Sequence, residues 1–267
     1  MNTTRKSYPS DVSDAEWEFL LPYPTLMRAD APQRAHGLRE VFDAVRHVGK
    51  SGCHWRMLPH DFPDWTVACR QTRRRMGAGV SGQTAHDLRV IPRLVVERDP
   101  QPSATIMDGR TPQSTPESGG RAGCDGARKK KGSKVHVAVD AMGNLPASKV
   151  TAADEQERGQ VAELAARVRE VTGGTVEIGF VDQCYTGENA ARQAGGHGIK
   201  LEVVKHTEAR KGFVLLPRRW VVERTFGWLG RFRRLTRDYE RLAEVLAGWH
   251  RRAFATLIIR QVGFQSQ

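Results

Sequence analysis

The feature that most constrains the fold of this chain is a change of periodicity near residue 100. Before it, apolar residues recur every three or four positions; after it, short apolar runs of strand length take turns with helical stripes. In the first part, Ser13-Asp14-Ala15-Glu16 has the form of a capping box, and Trp17, Leu20 and Leu21 follow at helical spacing. Leu38, Val41, Phe42, Val45 and Val48 make one stripe, predicting a helix over Leu38–Val48 that Ser51-Gly52 ends. Beyond Pro63-Asp64-Trp65 lie Arg70, Arg73, Arg74 and Arg75, whose charges need either solvent or phosphate. The two prolines of Asp99–Ser103 mark a connector. The expectation is a helical domain over residues 1–98 and a second domain over residues 99–267.

In the second part, Ala104–Met107 reads as a strand, and Val135, Val137 and Val139 alternate as a half-buried strand does. A turn at Met142-Gly143-Asn144 leads to a return strand over Leu145–Val150. Val161, Leu164, Ala165, Val168 and Val171 form a helical stripe closed by Gly173-Gly174. A strand (Val176–Val181), a helix (Glu188–Ala194), a strand (Ile199–Val204) and a basic helix from about Arg218 to Arg231 complete the order. That order predicts the α/β class: a ribonuclease H-like mixed sheet flanked by helices, preceded by a small all-α domain. The Gly-, Pro-, Ser- and Lys-rich stretch from Thr111 to Lys134, with its basic run Arg128-Lys129-Lys130-Lys131 and Lys134, reads as a mobile loop.

Two carboxylates fall where such a sheet places ligands. Asp108 follows Ile106-Met107 and Asp182 follows Gly179-Phe180-Val181, so both are expected at the carboxyl edge. Side by side they repel unless a cation shares them, which points to Mg²⁺; strand-end aspartates also serve as helix caps, and that reading stays open. A third acid sharpens the pattern. In the basic helix, Val222, Phe226 and Leu229 form the apolar stripe, Glu223 sits at its margin, and Arg219 lies one turn earlier on the same face. A surface Arg–Glu pair contributes only about a few tenths of a kcal/mol. Yet Arg210–Arg241 holds ten basic residues against Glu223, Asp238 and Glu240, and a lone glutamate there is better explained by a metal ion and a phosphate.

Charge supports the same direction. Lys and Arg number 42 against 30 Asp and Glu, a formal net charge of +12, which suits a polyanionic partner as well as a solvated basic face. No run of about 18 apolar residues occurs, and Met1-Asn2-Thr3-Thr4-Arg5-Lys6 leads into polar residues, so a cytoplasmic, nucleoid-associated protein is expected. The cysteines Cys53, Cys69, Cys124 and Cys184 are scattered and read as reduced thiols, and Cys53-His54 with His60 lacks the second ligand pair of a zinc site. Tyr185 reads as an aromatic packed on the core, and no nucleophilic Ser, Cys or Tyr arrangement is recognisable.

Longer blocks carry a resemblance. Tyr8-Pro9-Ser10-Asp11 with Trp17, Gly52-Cys53-His54-Trp55-Arg56-Met57-Leu58-Pro59-His60-Asp61-Phe62-Pro63, Asp99–Ala104, and above all Lys211-Gly212-Phe213 and Leu216–Arg231 continuing to Tyr239-Glu240-Arg241-Leu242 resemble the DDE transposases of bacterial insertion sequences, specifically the insertion-sequence-five-like group. The resemblance implies that Asp108, Asp182 and Glu223 are the catalytic and metal-binding triad, with Arg219 in the motif before the glutamate. It implies Mg²⁺ or Mn²⁺, two ions, and strand cleavage and transfer on double-stranded DNA at terminal inverted repeats, by a homodimer on paired ends. Phosphate contacts are expected from Arg70, Arg73, Arg74, Arg75, Lys129, Lys130, Lys131, Lys134, Arg219, Arg224, Arg231, Arg233 and Arg234. The chain departs from the family at Gly109, where a serine is usual, at Cys184, where a glycine is usual, and at Leu216 and Gly230, where related groups have Tyr and Lys. A structure-selective nuclease of the same fold and a non-catalytic DNA-binding relic are the alternatives.

Overall fold

Five strands carry the architecture of the computed structural model, which describes residues 5–25, 36–77, 80–204 and 219–263. β1 (Ala104–Arg110) lies at the centre, antiparallel to β4 (Lys130–Val139) and parallel to β6 (Ile178–Val181). β5 (Ala147–Ala152) pairs antiparallel with β4, and β7 (Lys200–Val203) pairs parallel with β6. The resulting order is β5-β4-β1-β6-β7. This is the mixed sheet that the alternation of strands and helices predicts, and it is ribonuclease H-like.

Period-two alternation sends neighbouring side chains to opposite faces. Ile106, Val135, Val137, Val139 and Phe180 meet one apolar cluster, while Met107, Ala138, Ala147 and Val181 meet another. The second face is covered by α6 (Val161–Thr172), through Val161, Leu164, Ala165 and Val168, and by α7 (Glu188–Gly195), through Ala190 and Ala194. The first is covered by α8 (Trp220–Leu229), α9 (Ala243–Gly263) and α3 (Leu38–Ser51), with Val222, Leu229, Leu246, Trp249, Phe254, Val45 and Val48 all buried. Each fully buried aliphatic side chain of this kind contributes about 1.5–3 kcal/mol of transfer free energy. Helices from both sides of residue 99 therefore share one apolar cluster.

The N-terminal helices begin as their sequence dictates. α1 (Asp14–Leu20) opens on the complete capping box: the Glu16 amide donates to Ser13 Oγ at 3.1 Å, and the Ser13 amide donates to Glu16 Oε2 at 3.0 Å. A single turn, α2 (Pro22–Thr25), follows. α3 ends on Gly52, whose φ of +71° is the left-handed cap. α4 (Trp65–Gly77) and α5 (Val80–Val95) complete the helical region.

Three expectations need correction. The segment from Thr111 to Lys134 is ordered, forming β2 (Gln113–Ser114), a 3₁₀ segment at Pro116–Arg121, β3 (Gly123–Asp125) and the start of β4. Its anchors are buried carboxylates: Asp125 accepts from Thr111 Oγ1 at 2.6 Å, and Asp238, in β8 (Arg237–Asp238), accepts from Arg121 and Ser133, both at 2.6 Å. Asp108 does not end its strand, because β4 is long enough to pair with β1 through Arg110, placing Asp108 opposite Val137. The basic helix starts at Trp220 and stops at Leu229; Lys211–Arg218, including Leu216, fall outside the described residues.

Candidate active site

The register of the sheet delivers the first two acids to one place. Ile106 pairs with Phe180 in parallel, so two residues further on Asp108 and Asp182 stand side by side, on the face that α8 covers. β6 stops at Val181, which opens the edge of β1 at Asp108 while β4 still holds its other side.

Each carboxylate is fixed through one oxygen by a backbone amide and offers the other. Asp108 Oδ1 accepts from the Gly109 amide at 2.7 Å, and Asp182 Oδ1 accepts from the Cys184 amide at 2.8 Å, capping the short 3₁₀ turn Gln183–Tyr185. Asp182 thus acts as the cap that strand-end aspartates commonly provide. The free oxygens converge on one cation, Arg219, whose Nη2 lies 3.1 Å from Asp108 Oδ2 and 3.7 Å from Asp182 Oδ2. Arg219 is buried just ahead of α8, and it reaches across to the strands rather than along its own helix to Glu223. Glu223, in the first turn of α8, is exposed and lines the same cleft together with Asp108, Asp182, Arg219, Arg110, Arg128 and Phe226.

Burial pushes the Asp108 carboxyl above its ordinary range, against the Gly109 amide and the Arg219 charge that pull it down, and the Asp182 charge adds to the rise. Two acids held this close repel one another, and a cation between them offsets that repulsion.

Sequence reasoning missed a fourth acid. Glu157 begins the 3₁₀ turn that leads into α6 and lines an adjoining pocket together with Asp108, Asp182, Cys184, Arg128 and Lys134. Burial raises its carboxyl, and the Asp108 charge raises it further, while Lys134 stands 3.8 Å away. The signal for it lay in Gly109: a Cβ at that position would come within 2.8 Å of Glu157 Oε1, so the glycine is the room this glutamate occupies. Among the described residues, Glu157, Asp182 and Cys184 offer ligand atoms that all lie within 4.8 Å of one another, a group able to hold a metal ion.

The cations expected to meet phosphate divide by location. Arg70, Arg73, Arg74, Lys129, Lys131, Arg231 and Arg233 are exposed, and Lys130 and Arg224 are partly so. Arg75 is buried at 4 % exposure on the inner face of α4, beside a cavity that Trp249 and Arg252 also line. Arg234 is buried and bonded through Nε to Glu240 at 2.8 Å. Lys134 donates to the Glu155 carbonyl at 3.1 Å. Arg224 stacks between Trp220 and Trp228, 4.6 and 4.5 Å from their ring centroids, and donates to the Met142 carbonyl. Arg128, at the near end of the basic run, turns inward, donating to the Gly109 carbonyl and Thr111 Oγ1.

Fold and site together define a class: a ribonuclease H-like sheet whose central strands present acidic side chains to a basic cleft. Comparison with known proteins gives the family. Residues 99–258 match the model of the transposase DDE domain, and residues 12–84 match a model described as "Putative transposase of IS4/5 family". A protein of Burkholderia cepacia described as "Putative transposase for insertion sequence element IS402" is 32% identical over 124 residues, covering 44% of this chain and 58% of that protein. The chain thus spans little more than half the length of this relative. The chain belongs to the DDE transposase domain family.

Proposed function

We propose that this protein is a transposase that cleaves and rejoins DNA at the terminal inverted repeats of an insertion sequence, with Asp108, Asp182 and Glu223 as its catalytic and metal-binding acids. The observation that carries the reading is the convergence of Asp108 and Asp182 on the single Arg219 guanidinium, with Glu223 on the wall of the same cleft. The donor set suits Mg²⁺ or Mn²⁺: hard carboxylate oxygens, each already oriented by an amide, around a place now filled by a side-chain cation. Asp108, Asp182 and Glu223 would hold two such ions, whose chemistry would be Lewis-acid activation of the attacking oxygen and neutralisation of the leaving one at phosphorus.

The rest is the work of this chain's own groups. Asp108 and Asp182 are held rigid by the sheet, which fixes where the scissile phosphate must lie. Arg219 places a positive charge between the two carboxylates, and Arg128 and Arg110 bring positive charge to the cleft wall that a phosphate backbone would follow. Exposed Arg70, Arg73 and Arg74 on α4, with Lys129, Lys131, Arg231 and Arg233, extend that charge outward, and residues 1–98 act as the end-binding domain of a homodimer on paired ends. Incubating the protein with a supercoiled donor carrying both element ends tests the reading. Mg²⁺-dependent nicking at the repeat boundaries followed by strand transfer is expected; cutting without regard to the repeats would refute it.

A further inference from the structure

We infer that Glu157, Asp182 and Cys184 form a mixed oxygen–sulfur site for a thiophilic divalent cation, a binding mode beyond the all-carboxylate chemistry proposed above. It shares Asp182 with that reading but does not depend on strand cleavage.

Three observations meet here. The ligand atoms of Glu157, Asp182 and Cys184 lie within 4.8 Å of one another, a spacing that one ion can close with small side-chain adjustments. Two of the three ligands are held in place: Asp182 by the Cys184 amide at 2.8 Å, and Glu157 by the space that Gly109 leaves, while the Cys184 side chain is exposed and reachable. Third, the Tyr185 hydroxyl, on a side chain only 2 % exposed, has no hydrogen-bond partner among the described residues, although it sits in the field of Glu157, Asp108, Asp182 and Cys184. A buried hydroxyl with no partner keeps the desolvation cost that a hydrogen bond would offset. A cation held among these carboxylates would bring polar groups into the neighbourhood of this unpartnered hydroxyl.

The sulfur decides the class of ion. Carboxylates alone suit Mg²⁺ and Ca²⁺, whereas a thiolate beside two carboxylates favours Zn²⁺, Co²⁺ and Cd²⁺. Binding takes the proton from the Cys184 thiol and releases it to solvent, so that an S–H bond is exchanged for a metal–sulfur bond with no change of oxidation state. An ion held there occupies an oxygen of Asp182 that Mg²⁺ would otherwise use, so thiophilic cations compete with the catalytic ion.

Co²⁺ is the direct probe, because a cobalt–thiolate bond gives a near-ultraviolet charge-transfer band that oxygen ligands do not. Titration of the full-length, DNA-free protein with CoCl₂ is expected to produce this band at one equivalent. Cys184→Ser removes it, the control Cys124→Ser retains it, and Glu157→Gln weakens Co²⁺ affinity roughly 10- to 100-fold. Glu223→Gln leaves the band intact while removing any strand cleavage, which separates this inference from the transposase reading. A wild-type protein without the band at saturating Co²⁺, or a band that survives in Cys184→Ser, overturns the proposal.

Discussion

Arg219 Nη2 lies 3.1 Å from Asp108 and 3.7 Å from Asp182, so one guanidinium holds together two acids that are 74 residues apart in sequence. All three side chains are largely shielded, and removing one member of a buried ion pair leaves uncompensated charge, at a cost of about 3–5 kcal/mol. Arg219→Ala is therefore expected to lower unfolding stability by that order in metal-free urea titrations. Added Mn²⁺ restores more of it than in the wild type, since the ion replaces the lost charge. Equal Mn²⁺ stabilisation of both proteins would contradict this role.

Gly109 and Glu157 are coupled by space. A methyl group at residue 109 meets Glu157 Oε1 at 2.8 Å, so Gly109→Ala displaces the end of this flexible side chain, at a cost no more than the low end of overpacking, about 1 kcal/mol. In a Glu157→Ala background the same change is expected to be nearly neutral. A double-mutant cycle with no coupling energy would show that the contact is relieved elsewhere.

Location divides the arginines of α4. Arg73→Ala and Arg74→Ala, at exposed positions, should each reduce the slope of log affinity for DNA against log salt by about 1. Arg75→Ala, at a position 4 % exposed, should leave that slope unchanged and alter stability instead. Filter binding across a salt series, paired with thermal unfolding, reads both. A full slope change in Arg75→Ala would mean that this side chain reaches phosphate.

Acid should unfold the protein through its buried histidines. Burial lowers His136 to about 4 and His250 to about 3, below the ordinary value of 6.5. Both stay neutral in the fold while the unfolded chain takes up protons. Stability is thus complete above pH 6.5, and each residue loses about 1.4 kcal/mol per pH unit as pH falls towards its folded value. His136→Gln is expected to flatten the stability profile between pH 6.5 and 4; urea midpoints across that range check it, and an unchanged slope would contradict it.

Most of the sheet was legible in the sequence because its strands carry period-two or continuous apolar runs, and α6 because its stripe is one-sided. α9 was not. Leu246, Trp249, His250, Ala253, Phe254, Ile258 and Ile259 are buried around most of its circumference, so no amphipathic stripe marks it. α5 is obscured by Pro92 inside it. In the site, Asp108 and Asp182 could be found because an acid after an apolar run is a local signal. Glu157 could not, since it stands on a turn with no periodicity and meets Asp108 and Asp182 only in the folded chain. The two-faced behaviour of the basic residues was likewise hidden: Arg75 and Arg234 look like their exposed neighbours until packing assigns them to the interior.

The central claim is that Glu223 completes the chemistry begun by Asp108 and Asp182, and a single comparison tests it most directly. Wild type and Glu223→Gln are assayed side by side for binding to an element-end DNA duplex and for Mg²⁺-dependent nicking of that duplex. Glu223 is exposed, so the substitution should leave folding and binding affinity unchanged while nicking falls by a factor of about 10³ or more, the scale of a lost transition-state charge contact. Nicking that continues at the wild-type rate in Glu223→Gln would contradict the account.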